Sequence, residues 1–501
     1  MADCYFIGIG GTGSKCVNNY VYSSAAGLGP DRLWIGMVDQ DDANGNVAES
    51  RSNIENYQRV RRILRTPGLS DINDKTDLFK THITTQVGQT SWCPLPGTAP
   101  TLKDVFSYDL LNKDLQDTID CLYHPQEELN LELDEGFRAR PSIGAAAILS
   151  RVQENDPFWV NIFNAIDSAK AGTEVRIFLV SSIFGGTGAS GFPSIARLIR
   201  SEMDKRGIRD GVHLGGALML PYFKFPKPGE DEIKEVAYAE SFLEQSRGAL
   251  DYYHRLFEKE QRKTFDQLYL VGWDPLIELP VFEKGGNLQR NPALLPELFT
   301  SLAASRFFMS NSVDNGIFHI ARNDANAFSW DDFPEINDQQ KIVKDNLSQM
   351  TRTALSYREI YYPYLVDQWR KVKNESWFRN TLLKQGVDFN NDETSLNFNN
   401  LLAYFENYLD WLANMIHFSQ NATVQGIDLV DVNMFSQYEN SQVTISDKVR
   451  DHQLKQFNSL ISGVNSSSLA KVFLKMNYSR VPKNRTGIGA FVGALYESCK
   501  S

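Results

Sequence analysis

Short apolar runs alternate with helix-length segments over the first two thirds of the chain. The runs that predict strands are 4–9, 33–38, 175–180, 212–220 and 268–272. The segments whose pattern predicts helices are 13–26, 143–153, 158–169, 193–206, 232–261 and 292–309. Strands that alternate with helices of this length favour right-handed crossovers between parallel strands. The pattern therefore predicts an α/β fold, with a mostly parallel sheet and helices on both of its faces.

The pattern changes near residue 335, where amphipathic helical stretches replace the alternation. In the segment 400–418 the apolar residues Leu402, Phe405, Leu409 and Leu412 share one helix face. We therefore expect an α/β domain at 1–335 and a mainly helical domain at 336–501 that packs on it and serves interaction. Segment 66–100 has little periodicity and is predicted to be a long surface excursion.

Two glycine-rich stretches each follow a predicted strand and precede a predicted helix. They read YFIGIGGTGS at 5–14 and SSIFGGTGASGF at 181–192. In an open parallel sheet, ligands bind beyond the carboxyl ends of the strands. Glycines there let backbone N–H groups approach phosphate oxygens, and a helix N-terminus favours an anion. Either stretch alone is a weak signal, because the first also fits a tight turn or a Rossmann-like dinucleotide loop and the second also fits a tight turn. The pair predicts a site for a nucleoside di- or triphosphate.

Two carboxylates stand at the end of the second predicted strand. Asp39 and Asp41 lie where they could hold a hydrated Mg²⁺ or a ribose hydroxyl. Solvated strand-end carboxylates without a ligand remain an alternative for both.

Composition narrows the function classes. Apolar residues make up 42% and charged residues 23% of the 501, which is ordinary for globular proteins. The net charge of −11, without a basic block, argues against nucleic acid as the main ligand. Five scattered cysteines without CxxC spacing predict reduced thiols in a cytoplasm rather than disulfides or a zinc site. No apolar run is long enough to predict a membrane span.

Five segments resemble motifs of the tubulin/FtsZ superfamily, in the order of that family, and in particular its divergent bacterial tubulin-like members. They are 8–18 (the first phosphate loop), 38–41 (the second loop), 138–144 (the third loop), 185–191 (the GGGTGSG signature) and 220–225 (the KPFxF segment). Segment 285–308 suits the long central helix, so 292–309 is assigned to it.

The resemblance implies that the ligand is GTP or GDP, or another purine nucleotide, bound with Mg²⁺. The implied nucleotide-binding residues are Gly10, Gly11, Thr12, Gly13, Ser14, Asn18, Arg138, Arg140, Gly185, Gly186, Thr187, Gly188, Ala189, Ser190 and Asn291. Asn18 would meet the nucleobase, and Arg138 and Arg140 would partly neutralise a γ-phosphate. Asp39 and Asp41 would hold Mg²⁺ through water.

In this family hydrolysis needs an acidic GxxNxD loop from the next subunit, after the central helix. The region after residue 308 has no clean version of that loop, and Asp314 and Asp324 are candidates by proximity only. The acidic pair Asp331 and Asp332 is taken as the catalytic candidate. The resemblance therefore implies slow hydrolysis that rises on association with itself or with a related tubulin-like subunit.

Two other functions stay open. The first is a non-hydrolysing, nucleotide-bound scaffold whose helical region serves as a docking platform. For the tubulin-like function itself, the family association suggests assembly into a bacterial multiprotein system through the helical region, with other proteins of a bacterial operon as partners and phage defence among the roles. The second is a ubiquitin-activating-like adenylyltransferase, because GIGGTGS followed by a strand ending in VDQD also resembles that family. That enzyme would need a catalytic cysteine and zinc-binding cysteines, and neither set is evident in the sequence.

Overall fold

Eight parallel strands form the central sheet of the computed structural model. They are β1 (Asp3–Ile9), β2 (Arg32–Val38), β3 (His82–Ile83), β4 (Ser91–Trp92), β5 (Val175–Ser182), β6 (Val212–Met219), β8 (Gln267–Val271) and β10 (Gly316–Ile320). The strand order is β10-β8-β6-β5-β1-β2-β3, and β4 pairs with the far end of β2. Two short pairs lie outside this sheet: β7 (Phe223–Lys224) with β9 (Ile277–Glu278), and β11 (Gln437–Glu439) with β12 (Gln442–Thr444).

The helices connect these strands and form most of the C-terminal region that the structure describes. They are α1 (Gly10–Ala25), α2 (Gly45–Leu64), α3 (Leu102–Val105), α4 (Lys113–Leu122), α5 (Pro141–Arg151), α6 (Pro157–Ser168), α7 (Gly186–Lys205), α8 (Ala239–Glu258), α9 (Leu295–Met309), α10 (Ile342–Ser356), α11 (Tyr362–Leu365), α12 (Trp369–Val372), α13 (Ser376–Thr381), α14 (Asp392–Ser419) and α15 (Gly487–Ser498). None of the described helices is both long and apolar enough to cross a membrane.

The structure describes the following residues: 2–41, 43–65, 76–86, 88–96, 100–125, 127–133, 137, 141–208, 210–224, 239–258, 263–279, 286, 290–323, 330–336, 342–419, 437–439, 442–444, 475–482 and 484–500.

Helices cover both faces of the sheet. On one face Phe6 of β1 packs against Tyr20 of α1, and Phe178 of β5 packs against Phe307 of α9. On the opposite face a Cβ at Gly36 of β2 would touch Phe158 of α6, and one at Gly216 of β6 would touch Phe192 of α7. The mostly parallel α/β sheet with helices on both faces is therefore confirmed.

The C-terminal region is mainly helical, as predicted, and α14 packs on the α1 face. Phe405, Leu409 and Leu412 of the predicted stripe are buried, but Leu402 is only half-buried. Aromatic residues that the stripe left out, Tyr404, Tyr408 and Trp411, surround Tyr22 of α1. The contact face is therefore wider and more aromatic than predicted. The division at residue 335 stays a prediction.

Segment 66–100 is more than a surface excursion where it is described. Its strands β3 and β4 pair with β2, and Leu78 and Phe79 are buried. Strands of two residues carry no alternation, so the sequence pattern could not reveal them.

Both helices after the glycine-rich stretches begin earlier than predicted. Helix α1 begins at Gly10 rather than residue 13, and α7 begins at Gly186 rather than residue 193. Pro193 therefore lies inside α7, where it cannot donate a hydrogen bond to the carbonyl of Ala189. The hydroxyl of Tyr253 in α8 donates to that carbonyl instead. The glycines thus form first helical turns rather than separate loops.

Candidate functional site

The first turns of α1 and α7 meet beyond the carboxyl ends of β1 and β5. Gly10 has a φ of +74°, in the left-handed region that glycine tolerates best. A Cβ on Gly10 would lie 3.0 Å from the backbone nitrogen of Gly188. Because no side chain separates the two turns, their backbones approach closely. We call the surface formed by residues 10–13 and 185–188 the cradle.

The two helix N-termini in the cradle lack side-chain caps. The N-cap residues, Ile9 for α1 and Gly185 for α7, provide no side-chain acceptor for the N–H groups of the first turn. The first N–H groups of a helix have no partner within the helix and carry the positive end of its dipole. Four cradle residues are partly exposed: Gly11, Thr12, Gly185 and Gly186. Two uncapped N-termini at one place suit an anion such as a phosphate.

The predicted serine ligands are used inside their own helices. Ser14 Oγ donates to the carbonyl of Gly10 at 3.2 Å, and Ser190 Oγ donates to that of Gly186. Both serines are buried, and Ala189 beside Ser190 is buried as well. The hydroxyls of the cradle threonines also have neighbours within the protein, Tyr222 for Thr12 and Asp39 for Thr187. The backbone N–H groups are therefore the main donors that this edge offers to a ligand.

Asp39 lies next to the cradle and is 6% exposed. Its Oδ1 accepts a hydrogen bond from the backbone N–H of Asp41 at 3.3 Å, whereas its buried Oδ2 has no partner among the described residues. Burial raises the pKa of Asp39 to about 7; the carboxylate of Asp41 also raises it, and the hydroxyl of Thr187 lowers it. A buried carboxylate oxygen without a partner fits a site that a hydrated cation completes.

Both oxygens of Asp41 accept backbone hydrogen bonds. Oδ1 accepts from Ala43 N at 3.1 Å, and Oδ2 accepts from Gly286 N at 2.7 Å. Asp41 therefore also holds the backbone of Gly286. No cluster of three or more His, Cys, Asp or Glu side chains suited to a metal occurs among the described residues. A magnesium ion here would need phosphate oxygens and water to complete its shell.

A small polar cavity opens beside the cradle, between α1, α2 and the segment before α9. Its lining includes Lys15, Asn18, Asn46, Glu49, Asn291 and Ala293. The structure thus brings together Asn18 and Asn291, which lie far apart in sequence. Lys15, Asn46 and Glu49 were missed, although Asn46 and Glu49 share a helix face three residues apart.

Glu297 anchors the start of α9 to α1 and is fully buried. Its carboxylate contacts the ammonium of Lys15 and accepts hydrogen bonds from Tyr222 Oη at 2.8 Å and Asn19 Nδ2 at 3.4 Å. Asn19 Oδ1 in turn accepts from the indole N–H of Trp411 in α14, at 2.9 Å. This set, the Glu297 network, joins the cavity wall to the C-terminal region. A lone acid in the otherwise apolar LLPELF was the signal that could have revealed it.

The catalytic candidates Asp331 and Asp332 lie on the edge of the sheet that also carries the cradle. Asp331 is exposed, and Asp332 accepts a hydrogen bond from Asn323 N at 2.8 Å. Both follow β10, on the carboxyl edge of the sheet. The connection 310–315 after α9 lies at the opposite edge, because Arg176 near the start of β5 donates to the carbonyl of Ser310 at 2.8 Å. If a neighbouring subunit supplies an acid from the chain that follows its α9, that acid would come from the connection 310–315.

Arg138 and Arg140 of the third loop, and Asp324, lie outside the described residues.

A family model described as "Tubulin like" matches residues 125–368, just under half of the chain. The matched range contains the second glycine stretch, α7 and α9, and it begins after the first glycine stretch. No curated protein matches the chain.

Proposed function

The chain belongs to the tubulin-like superfamily, and from that premise we propose that it binds a purine nucleoside phosphate, GTP or GDP, in the cradle. In this proposal the first turns of α1 and α7 hold the phosphates through backbone N–H groups. Asp39, with Asp41 behind it, holds Mg²⁺ through water. The base enters the polar cavity lined by Asn18 and Asn291.

The meeting of two uncapped helix N-termini carries this proposal. The backbones of Gly10 and Gly188 approach so closely that both termini act on one small volume. Beside it stands the unpartnered Oδ2 of Asp39. Anionic phosphates and a hydrated cation are the pair of ligands that satisfies both features together.

The test uses a side chain at Gly185 rather than at Gly188. A Cβ at Gly188 would collide with Ser181 Oγ inside the protein, whereas one at Gly185 meets only Ser182 Oγ, at 3.3 Å. We expect Gly185→Leu to fold normally and to lose at least about tenfold in affinity for Mg²⁺–GTP by calorimetry, because the side chain covers the terminus of α7. Gly248→Leu is the control, since Gly248 has open space around it. An unchanged affinity for Mg²⁺–GTP in the folded Gly185→Leu variant would exclude the cradle as the phosphate-binding site.

We further propose that hydrolysis is slow in the isolated chain and rises when copies associate head to tail. The connection 310–315 of one copy would then face the cradle of the next. Asp314 is the exposed acid of that connection, and it supports this arrangement better than Asp331 and Asp332 do. Losing a water-positioning acid costs on the order of 100-fold or more in rate.

Specific phosphate release measured against protein concentration, with sedimentation in parallel, tests this. We expect the rate to rise with assembly, and Asp314→Asn to abolish the rise while Asp331→Asn keeps it. If Asp331→Asn abolished the rise and Asp314→Asn kept it, Asp331 and Asp332 would be the catalytic acids instead. A fast rate independent of concentration would exclude completion by a neighbour.

A non-hydrolysing scaffold is the second candidate, because the chain lacks a clean GxxNxD sequence after α9. The helical region would then dock other proteins while the nucleotide stabilises the fold. Five scattered cysteines without CxxC spacing fit a reducing compartment, and we propose the cytoplasm. Nucleotide binding without phosphate release at any protein concentration would favour this candidate.

A further inference from the structure

Most polar groups that line the cavity beside the cradle already have partners. Lys15 is paired with Glu297. Asn18 Nδ2 donates to Glu49 Oε1 at 3.0 Å, while Asn18 Oδ1 accepts from Asn53 Nδ2 at 2.6 Å. The amide of Asn18 is therefore oriented from both sides, and its hydrogen bonds are directed into the protein.

Glu49 is a charged lining residue with an acceptor that stays uncommitted among the described residues. Its Oε2 accepts no hydrogen bond from any residue that the structure describes, although its Oε1 is held by Asn18. The residue is exposed, so a ligand entering the cavity can reach it. A carboxylate fixed at one oxygen and free at the other is suited to binding a planar group that carries neighbouring N–H donors.

We propose, on the basis of the nucleotide-binding function above, that Glu49 reads the base of the bound nucleotide and that Asn18 positions Glu49 for this role. Guanine presents two adjacent donors, N1–H and the 2-amino group, and a carboxylate accepts from both. Adenine presents a donor beside the acceptor N1, which a carboxylate repels. Glu49 thus selects guanine over adenine, because a polar group that is left unpaired in the wrong complex costs affinity.

The experiment is a calorimetric titration of the full chain, with Mg²⁺, against GTP, ITP, ATP and XTP. We expect GTP to bind at least about tenfold more tightly than ATP. ITP should lie between them, because hypoxanthine keeps N1–H but lacks the 2-amino group. Glu49→Gln should lower GTP affinity by about tenfold and raise XTP affinity, since the new amide N–H faces the 2-oxo group.

Glu55→Gln, on the same helix but outside the lining described above, is the matched control and should keep the wild-type order of bases. Asn18→Ala removes the hydrogen bond that orients the Glu49 carboxylate but keeps the carboxylate itself. It should therefore reduce the ratio of GTP to ATP affinity by less than Glu49→Gln does. Melting curves show whether each variant is folded. Wild-type protein that binds all four nucleotides equally, or Glu49→Gln that keeps the GTP preference, would overturn this inference and leave nucleotide binding intact. Folded wild-type protein that binds none of the four would overturn the proposed function itself.

Discussion

In the first turn of α1 the atoms that crowd the glycines belong to the backbone, whereas in α7 they belong largely to side chains. A Cβ at Gly13 would lie 2.8 Å from both the carbonyl carbon of Gly8 and the carbonyl oxygen of Val180. A Cβ at Gly188 would collide first with the Ser181 hydroxyl, and one at Gly191 would lie 2.6 Å from an Ile9 methyl group. The two helix N-termini therefore look alike from the ligand side but differ in how they are supported.

The difference teaches which parts of the cradle can change. Backbone atoms in a central strand cannot withdraw without breaking the sheet, whereas a side chain can be shortened by mutation. We therefore expect the α1 terminus to tolerate no substitution at its close contacts. A glycine at the α7 terminus should accept a substitution when the side chain that the new Cβ would meet is shortened at the same time.

Gly13→Ala should give the largest effect. The new methyl group would press on backbone of both β1 and β5, so we expect a loss of at least about 3 kcal/mol in the free energy of unfolding. Urea denaturation measures it. Gly248→Ala, in the open part of α8, is the control and should change stability by less than about 1 kcal/mol, in the stabilising direction. Similar losses in the two variants would remove the basis of the comparison.

Gly188→Ala should cost about 2 kcal/mol, and the loss should depend on Ser181. In a Ser181→Ala background the same substitution should cost about half as much, because the colliding hydroxyl is gone. A double-mutant cycle by urea denaturation gives the coupling directly. An additive result would mean that backbone atoms, such as Ser182 O at 3.1 Å from that Cβ, limit this terminus as well.

Asp39→Asn tests the carboxylate that lies between the two termini. Because burial raises the pKa of Asp39 from 3.8 to about 7, the unfolded chain releases its proton first as pH rises. The native state therefore loses stability between about pH 4 and pH 7. Without nucleotide or Mg²⁺, we expect the asparagine variant to be more stable than wild type at pH 8, with the gain fading toward pH 4. The full shift corresponds to roughly 4 kcal/mol, but we expect on the order of 1–2 kcal/mol because the buried asparagine amide also loses its hydration. A gain independent of pH would contradict this.

Tyr253→Phe should give the smallest effect and concerns α7 alone. The substitution removes the hydroxyl that donates a hydrogen bond to the carbonyl of Ala189. Pro193 has no N–H and cannot replace that donor. We expect a loss of about 1 kcal/mol in unfolding free energy. Tyr252→Phe is the matched control, because Tyr252 is 59% exposed, and it should be neutral. Equal effects of the two substitutions would show that the hydroxyl bond contributes nothing measurable.

The strands were predictable because buried parallel strands are continuous apolar runs, and β1, β2, β5 and β6 agree with the predictions within two residues. The helix starts were not, because glycine and proline usually end a helix. Only tertiary partners, such as the hydroxyl of Tyr253, permit the early start of α7.

The candidate site was partly predictable for the same reason. Its glycines and Asp39 follow predicted strands, so their common edge could be inferred. The lone acid in LLPELF marks Glu297 as unusual, but the sequence does not connect Glu49 or Glu297 to the site, because their partners Asn18 and Lys15 lie on another helix. Only the packing of α1 against α2 and α9 brings these groups together.

The Glu297 network also sets an order of events during protein synthesis. Asn19 and Trp411, which it joins, are 392 residues apart in the chain. A ribosome that adds about 5–20 residues per second makes Trp411 roughly 20–80 seconds after Asn19. Throughout that interval Lys15 and Asn19 are already made, but their partners on α9 and α14 are not all available. The first glycine turn to be made is therefore attached to a helix whose contacts are completed only when most of the chain has been translated.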